Sequence, residues 1–319
     1  MLNIVYMGST REVLPPLEEL LKFPDKFKVV GVVTQGPRKI GRGHKMKESD
    51  LAIFCKDRTL PCFTPDRASS SEFIEVLKSL SVDVIITASY GQILSEEFLA
   101  VPSVSVINIH PSLLPKYRGA TPIQSAIYNG DNITGVTVLY TVKALDAGDI
   151  IEQKEYEIAG GETAGELETR MFRESAALLI KALEKILDPS FKGVPQDESK
   201  KVVCRKIKKE DALIDWSWKG IDIFNKYRAY HPWPGTCSFF RGKRVNFIKL
   251  VMPSSLVYDV SSMIEGEFSF DKSSKTLYVK TSDGYLIVDR LKQEGGKEIG
   301  GVDFWNGIRE KEGLRFLNQ

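Results

Sequence analysis

The sequence predicts two folded parts. The first is an α/β domain on an open, mostly parallel, Rossmann-like sheet, and the second is a small C-terminal β-barrel. Three observations carry this prediction. Over the first 189 residues, short β-branched runs alternate with stretches of helical spacing, the pattern of strands joined by crossover helices. After residue 210, five short strand-like runs are divided by turn residues such as Arg241-Gly242 and Asp283-Gly284, which suits a barrel of few strands. The length of 319 residues favours two domains, at roughly 100–200 residues each.

Taken in order, residues 3–6 and 28–33 read as buried strands around a helical stretch at 13–22. Strands at 82–87 and 103–110 follow, the former after a helix at 71–80 whose Phe73, Ile74, Leu77 and Leu80 share one face. Residues 135–142 and 150–158 read as further strands, and 163–187 as a long amphipathic helix stopped by Pro189. This places a catalytic domain at 1–189, a polar and basic linker at 190–209 and the barrel domain at 210–319. The last opens with a helix over 216–230 and continues with strands at 236–240, 244–251, 266–270, 276–281 and 285–291. In strand count it resembles oligonucleotide-binding, OB-like barrels. Gly300-Gly301 reads as a turn.

Charge is unevenly placed. Residues 1–189 hold 21 basic against 25 acidic side chains, and 190–319 hold 23 against 17. Two segments are purely basic: 35–47, with Arg38, Lys39, Arg42, Lys45 and Lys47, and 200–209, with Lys200, Lys201, Arg205, Lys206, Lys208 and Lys209. Either alone is an ordinary solvated stretch, but together they point to a polyanionic partner. No apolar run approaches the roughly 20 residues that span a bilayer, and the N-terminus lacks a basic leader pattern. The four cysteines have no C-x-x-C spacing. A cytoplasmic protein with reduced thiols and no membrane partner is expected.

No G-x-G-x-x-G and no phosphate-loop motif follows a strand, so hydride transfer and ATP hydrolysis lack support. The informative segment is 106–120, where Asn108 and His110 lie two apart at the end of a strand stopped by Pro111. Side chains two apart on a strand share a face, and ligands of open α/β sheets bind at the carboxyl ends of strands. An amide donor and an imidazole therefore face one crevice. The loop after the 135–142 strand brings a carboxylate, from Asp146 or Asp149, and spacing does not choose between them. An amide, an imidazole and a carboxylate, with no serine or cysteine nucleophile, suit direct acyl transfer to an amine, with the amide and imidazole steadying an oxyanion. The three histidines are scattered and no H-E-x-x-H occurs, so no metal is expected.

These residues resemble the folate-dependent formyltransferases. The resemblance rests on Asn108, His110, Ser112, Leu113, Leu114, Pro115, Arg118 and Gly119, then Asp146, Gly148 and Asp149. Within that family the chain is similar, over nearly its whole length, to the methionyl-tRNA formyltransferases. The basic loop at 34–45, the run Ala88 to Leu94, Ile214-Asp215-Trp216 and Pro232-Trp233-Pro234 carry that likeness. It implies Asn108, His110 and Asp146 as the catalytic trio. It implies Ser112, Leu113, Leu114, Pro115, Tyr90 and Gly91 on the folate side, and a tRNA-binding surface that includes Arg38, Arg42 and Lys45 of the loop and Lys206 and Lys208. The implied reaction moves the formyl group of 10-formyltetrahydrofolate to the α-amine of initiator methionyl-tRNA, in support of translation initiation, on an enzyme expected to be a monomer. The rival readings are a formyltransferase for a small amine, a hydrolase releasing formate from the same donor, and an RNA-binding module without catalysis.

Overall fold

The computed structural model describes residues 1–40 and 45–318, with the side chains of residues 38–40 and 45 left out of the description. The first strand, β1 (Leu2–Met7), is buried at five of its six residues, the continuous burial of a strand covered on both faces. α1 (Leu14–Leu20) carries prolines in its first turn, where a missing N–H costs nothing. β2 (Phe27–Val33) leads to a hairpin of β3 (Arg38–Ile40) and β4 (Lys45–Lys47). α2 (Asp50–Arg58) and α3 (Ser71–Ser79) lie either side of the short β5 (Cys62–Phe63) in the chain. Both helices start on a serine cap: Ser49 Oγ accepts from Ala52 N–H at 3.0 Å, and Ser70 Oγ from Phe73 N–H at 3.3 Å.

β6 (Val84–Ala88) is buried throughout. Then come α4 (Glu96–Leu99), β7 (Ser105–His110), β8 (Arg118–Gly119), α5 (Pro122–Tyr128), β9 (Ile133–Tyr140), β10 (Ile150–Glu157), α6 (Ala164–Ile186) and β11 (Val203–Cys204). The main sheet has the order β10-β9-β7-β6-β1-β2-β5. It is parallel from β7 to β5 and antiparallel at β7/β9 and β9/β10. The chain moves outward from β1 to β2 and β5, then returns to the other side of β1 as β6. Such a reversal opens a crevice at the carboxyl ends of the strands, which is where β7 ends in His110.

The chain divides into two compact units: Met1–Pro122 with Ile133–Glu157 and Leu167–Arg205, and Ile123–Asn132 with Ile158–Glu166 and Lys206–Gln319. The second contains α7 (Gly220–Tyr230), β12 (Thr236–Phe240), β13 (Lys243–Val251), β14 (Phe268–Asp271), β15 (Thr276–Lys280), β16 (Tyr285–Gln293), β17 (Glu298–Gly300) and α8 (Gly301–Gly307). Its sheet runs β12-β13-β16-β15-β14, antiparallel throughout, with β17 added beside β16. Residues 314–317 join the two edges. Phe239 and Leu317 exchange backbone bonds of 2.9 and 2.8 Å, and Phe268 N–H donates to Leu314 O at 2.9 Å. The sheet thereby closes around an aromatic core in which Phe268 and Phe316 stack at 4.4 Å between centroids. In the same unit Tyr128 stacks on Tyr230, and Arg228 donates to the carbonyls of Ala159 and Glu162.

The structure differs from the sequence reading at several points. The helix expected from 216 begins at Gly220, because Asp215 Oδ1 takes the N–H and hydroxyl of Ser217 in a turn and Trp216 Nε1 reaches Ser238 Oγ at 3.1 Å. Gly301 opens α8 rather than sitting in a turn; a Cβ there would stand 2.4 Å from Val288 O. The segment 190–205 is bound along the first unit. Val194 and Ile150 exchange 2.8 Å backbone bonds, and β11 pairs with β8. Among the described residues no helix is long and apolar enough to cross a membrane.

Candidate active site

Asn108 sits in β7 opposite Thr87 of β6 in the parallel register, so the two side chains share a face. The Thr87 hydroxyl donates to Asn108 Oδ1 at 2.8 Å, and Asn108 Nδ2 donates to Asp146 Oδ1 at 3.4 Å. The reverse placement of the amide would set its oxygen against a carboxylate oxygen, so the two contacts together fix which end carries the hydrogens. One amide hydrogen is left over for a further acceptor.

His110, two residues on, is almost wholly buried. Its Nε2 lies 3.0 Å from the Tyr117 carbonyl. A carbonyl only accepts, so Nε2 carries a hydrogen and Nδ1 is the nitrogen free to exchange a proton. Nδ1 stands 3.7 Å from Asp146 Oδ2, with the two side chains 5% and 10% exposed. That oxygen also accepts the Gly119 N–H at 2.9 Å. One carboxylate therefore touches the amide, faces the imidazole and is anchored by a backbone donor. The carboxylate in this position is that of Asp146; Asp149 lies at the entry to β10, where its carbonyl accepts from Tyr140 N–H.

Local backbone explains the motif. Asp146 has φ of 49°, a left-handed conformation that costs a side-chain-bearing residue about 1–2 kcal/mol. Gly148 passes so close to β9 that a Cβ would lie 1.9 Å from Tyr140 O, so only glycine permits this turn. On the other wall Tyr117 and Gly119 have φ of 65° and 121°.

Residues 3–183 match the Formyl transferase family, and residues 206–309 match the Formyl transferase C-terminal domain. Methionyl-tRNA formyltransferase of Halothermothrix orenii is 37% identical over 98% of this chain and 99% of its own. That of Fusobacterium nucleatum is 34% identical over 96% and 97%. This chain belongs to the methionyl-tRNA formyltransferase family. A solved N-formyltransferase from Helicobacter canadensis, in complex with folinic acid and dTDP-3-aminofucose, shares the fold. It superposes with a TM-score of 0.67 at 18% identity, covering 94% of this chain and 100% of that one.

The remaining positions expected of a methionyl-tRNA formyltransferase fall as follows. The 112–115 run is tied inward: the Thr137 hydroxyl donates to Ser112 O at 2.6 Å and accepts from Leu114 N–H at 3.3 Å. Gln153 Nε2 donates to Leu114 O at 3.1 Å, Ser112 and Leu114 are buried, and Pro115 follows a cis peptide bond. These bonds pin the run along its length. Tyr90 packs with Phe73, Phe98 and Val106, its hydroxyl buried without a partner among the described residues and held up at about 12 by burial. The Tyr90 carbonyl accepts from Gln35 Nε2 at 3.0 Å, and Gly91, with φ of 79°, is exposed. The N–H groups of residues 91–94 make no backbone hydrogen bond among the described residues.

Arg38 and Lys45 belong to the β3–β4 hairpin, and Arg42 lies outside the described residues. Lys206 and Lys208 are exposed in the second unit. The structure thus brings together Asn108, His110 and Asp146. The sequence reading did not single out Thr87, which orients the amide, or Gln196, whose Nε2 donates to Asp146 O at 2.9 Å and to Gly148 O at 2.7 Å. Thr87 was open to discovery through its register with Asn108; a glutamine in a polar stretch carries no such signal.

Proposed function

We propose that this chain transfers a formyl group from 10-formyltetrahydrofolate to the α-amine of methionine on initiator tRNA, with the first unit performing the chemistry and the barrel unit helping to hold the tRNA. The observation that carries this reading is one largely shielded carboxylate, that of Asp146, lying 3.4 Å from the Asn108 amide and 3.7 Å from His110, the last residue of β7. The bound folate supplies the activated acyl group and leaves as tetrahydrofolate.

The chain's own groups divide the remaining work. An aminoacyl α-amine has an ordinary pKa of roughly 7.7–8.0, so a useful fraction is neutral near pH 7. Its attack moves negative charge onto the formyl oxygen. The spare hydrogen of Asn108 Nδ2, fixed in direction by Thr87, donates to that charge, and His110 does so with a proton on Nδ1. Asp146 faces Nδ1 and takes the proton that the amine loses; as the donor's bond from N10 to the formyl carbon breaks, that proton passes to N10 and the carboxylate is restored. The open backbone of residues 91–94 and the pinned run at 112–115 support the pterin end of the donor. The enzyme is expected to act as a monomer. The basic hairpin and the exposed Lys206 and Lys208 supply the salt-dependent attraction for a tRNA backbone.

The test is to incubate the enzyme with formyl-folate and charged initiator tRNA and to measure formylmethionine. His110→Ala and Asp146→Asn are each expected to lower kcat at least about 10²–10³-fold while tRNA affinity changes less than about twofold. Near wild-type turnover in either variant overturns the mechanism. Formylation of a free sugar amine instead of the aminoacyl-tRNA overturns the substrate.

A further inference from the structure

Asp146 does not hold its position unaided. Its backbone is in a left-handed conformation at φ of 49°, and its carboxylate is fastened at one side by the Gly119 N–H. The other fastening comes from far along the chain. Gln196 lies 50 residues from Asp146 in sequence, yet its Nε2 donates to Asp146 O at 2.9 Å and to Gly148 O at 2.7 Å. These two carbonyls bracket the turn that carries the carboxylate. Both hydrogens of the Gln196 amide are used on that turn.

The orientation of this amide is determined from its far end. Gln196 Oε1 accepts from Arg118 Nε at 3.0 Å and Nη2 at 2.7 Å. A guanidinium has only donors, so the oxygen must face it and the nitrogen must face the turn. Arg118 is buried, and its Nη2 also donates to Glu198 Oε1 at 2.6 Å. Arg118 belongs to β8, which carries the Gly119 N–H, and β11 pairs with β8 from the same distal segment. Arg118 N–H donates to Val202 O at 2.8 Å, and Cys204 Sγ contacts Arg118 O at 3.2 Å. The stretch from 196 to 204 thus braces both structures that fix the carboxylate: the turn from one side and the Gly119 donor from the other.

We propose that Gln196 is a positioning residue for Asp146, holding the 146–148 turn so that the carboxylate stays between Asn108 and His110. The proposal rests on the reading of Asp146 given above. Two variants separate the roles of the two ends of the Gln196 side chain. Gln196→Ala removes both. Gln196→Glu keeps an acceptor for Arg118, and a charged one, but has no N–H to donate and places negative oxygen against two carbonyls.

The experiment measures steady-state formylation of initiator methionyl-tRNA by wild type and both variants, with thermal melting of each. Gln196→Ala is expected to lower kcat about tenfold to a hundredfold, the range for a small misplacement of a reacting group, with KM for each substrate within about twofold. Gln196→Glu is expected to show the same loss of kcat, and to melt no lower than Gln196→Ala because the Arg118 contact is kept. Restoration of wild-type kcat by Gln196→Glu would place the role at Arg118 and overturn the proposal. Unchanged kcat in Gln196→Ala overturns it as well. If Gln196→Ala fails to fold, the kcat of Gln196→Glu decides. An inactive wild-type enzyme would instead remove the formyl-transfer reading itself, a result distinguishable from an active wild type whose Gln196 variants are equally active.

Discussion

At the scale of single residues, the site is a chain of oriented donors ending at one carboxylate. Thr87 is the least conspicuous member, a buried hydroxyl that touches the carboxylate only through Asn108. Its hydroxyl decides which way the Asn108 amide faces. Thr87→Val keeps the shape and removes the donor. It is expected to lower kcat about tenfold and stability by about 1–2 kcal/mol, the cost of an unpaired buried acceptor; steady-state kinetics and denaturant unfolding measure the two effects separately. The site residues differ in how far the sequence reveals them. Asn108 and His110 are visible because period-two spacing places them on one face at a strand end. Asp146 and Asp149 share one turn, and only the fold, with Gly148 pressed against Tyr140 O, turns the first of them toward the imidazole.

At the scale of elements, α6 carries an ionisable group in an unfavourable place. Burial, and then the neighbouring Glu12, raise Glu168 from the usual glutamate value to about 7. A carboxyl raised in the folded state binds a proton more tightly than it does unfolded. Its contribution to stability is complete below about pH 4.5 and is lost as pH rises through 7. Glu168→Gln is expected to leave stability at pH 5 nearly unchanged and to raise it at pH 8 by roughly 1–3 kcal/mol. Melting curves of the two proteins at both pH values test this, and parallel curves would contradict it. Elements also differ in how openly the sequence declares them. The β-branched runs of β1, β2, β6 and β7 announce buried strands. α2 does not, because Leu51, Ala52 and Cys55 make a thin stripe among charges and its start is set by the Ser49 cap. The start of α7 is obscured because Trp216 has the look of a helix face but is spent in the barrel core.

At the scale of the molecule, the excess of positive charge lies in residues 190–319, with 23 basic against 17 acidic side chains. Lys206 and Lys208 lie exposed in the second unit, beside the basic stretch that precedes them. KM for tRNA is expected to rise steeply with salt, and each single Lys→Ala change at these positions to weaken tRNA use and flatten the logarithmic salt slope by roughly 0.7–0.9. KM for the folate donor is expected to stay constant across the same series. A salt-independent KM for tRNA would remove the electrostatic part of the account. The mostly parallel sheet and the antiparallel barrel follow from the alternation and spacing of apolar runs. The role of the 190–205 stretch does not, since its value lies in which carbonyls and guanidinium it meets rather than in any pattern of its own.

The join between Phe239 and Leu317 bears on how the barrel is made. Ser238, beside it, donates its hydroxyl to Leu317 O across a separation of 79 residues. During synthesis β12 emerges long before the segment that seals it, and until then both flanks of the sheet carry unsatisfied backbone groups, an invitation to neighbouring chains. Closure of the barrel therefore waits on residues 314–317, which follow β12 by more than seventy positions.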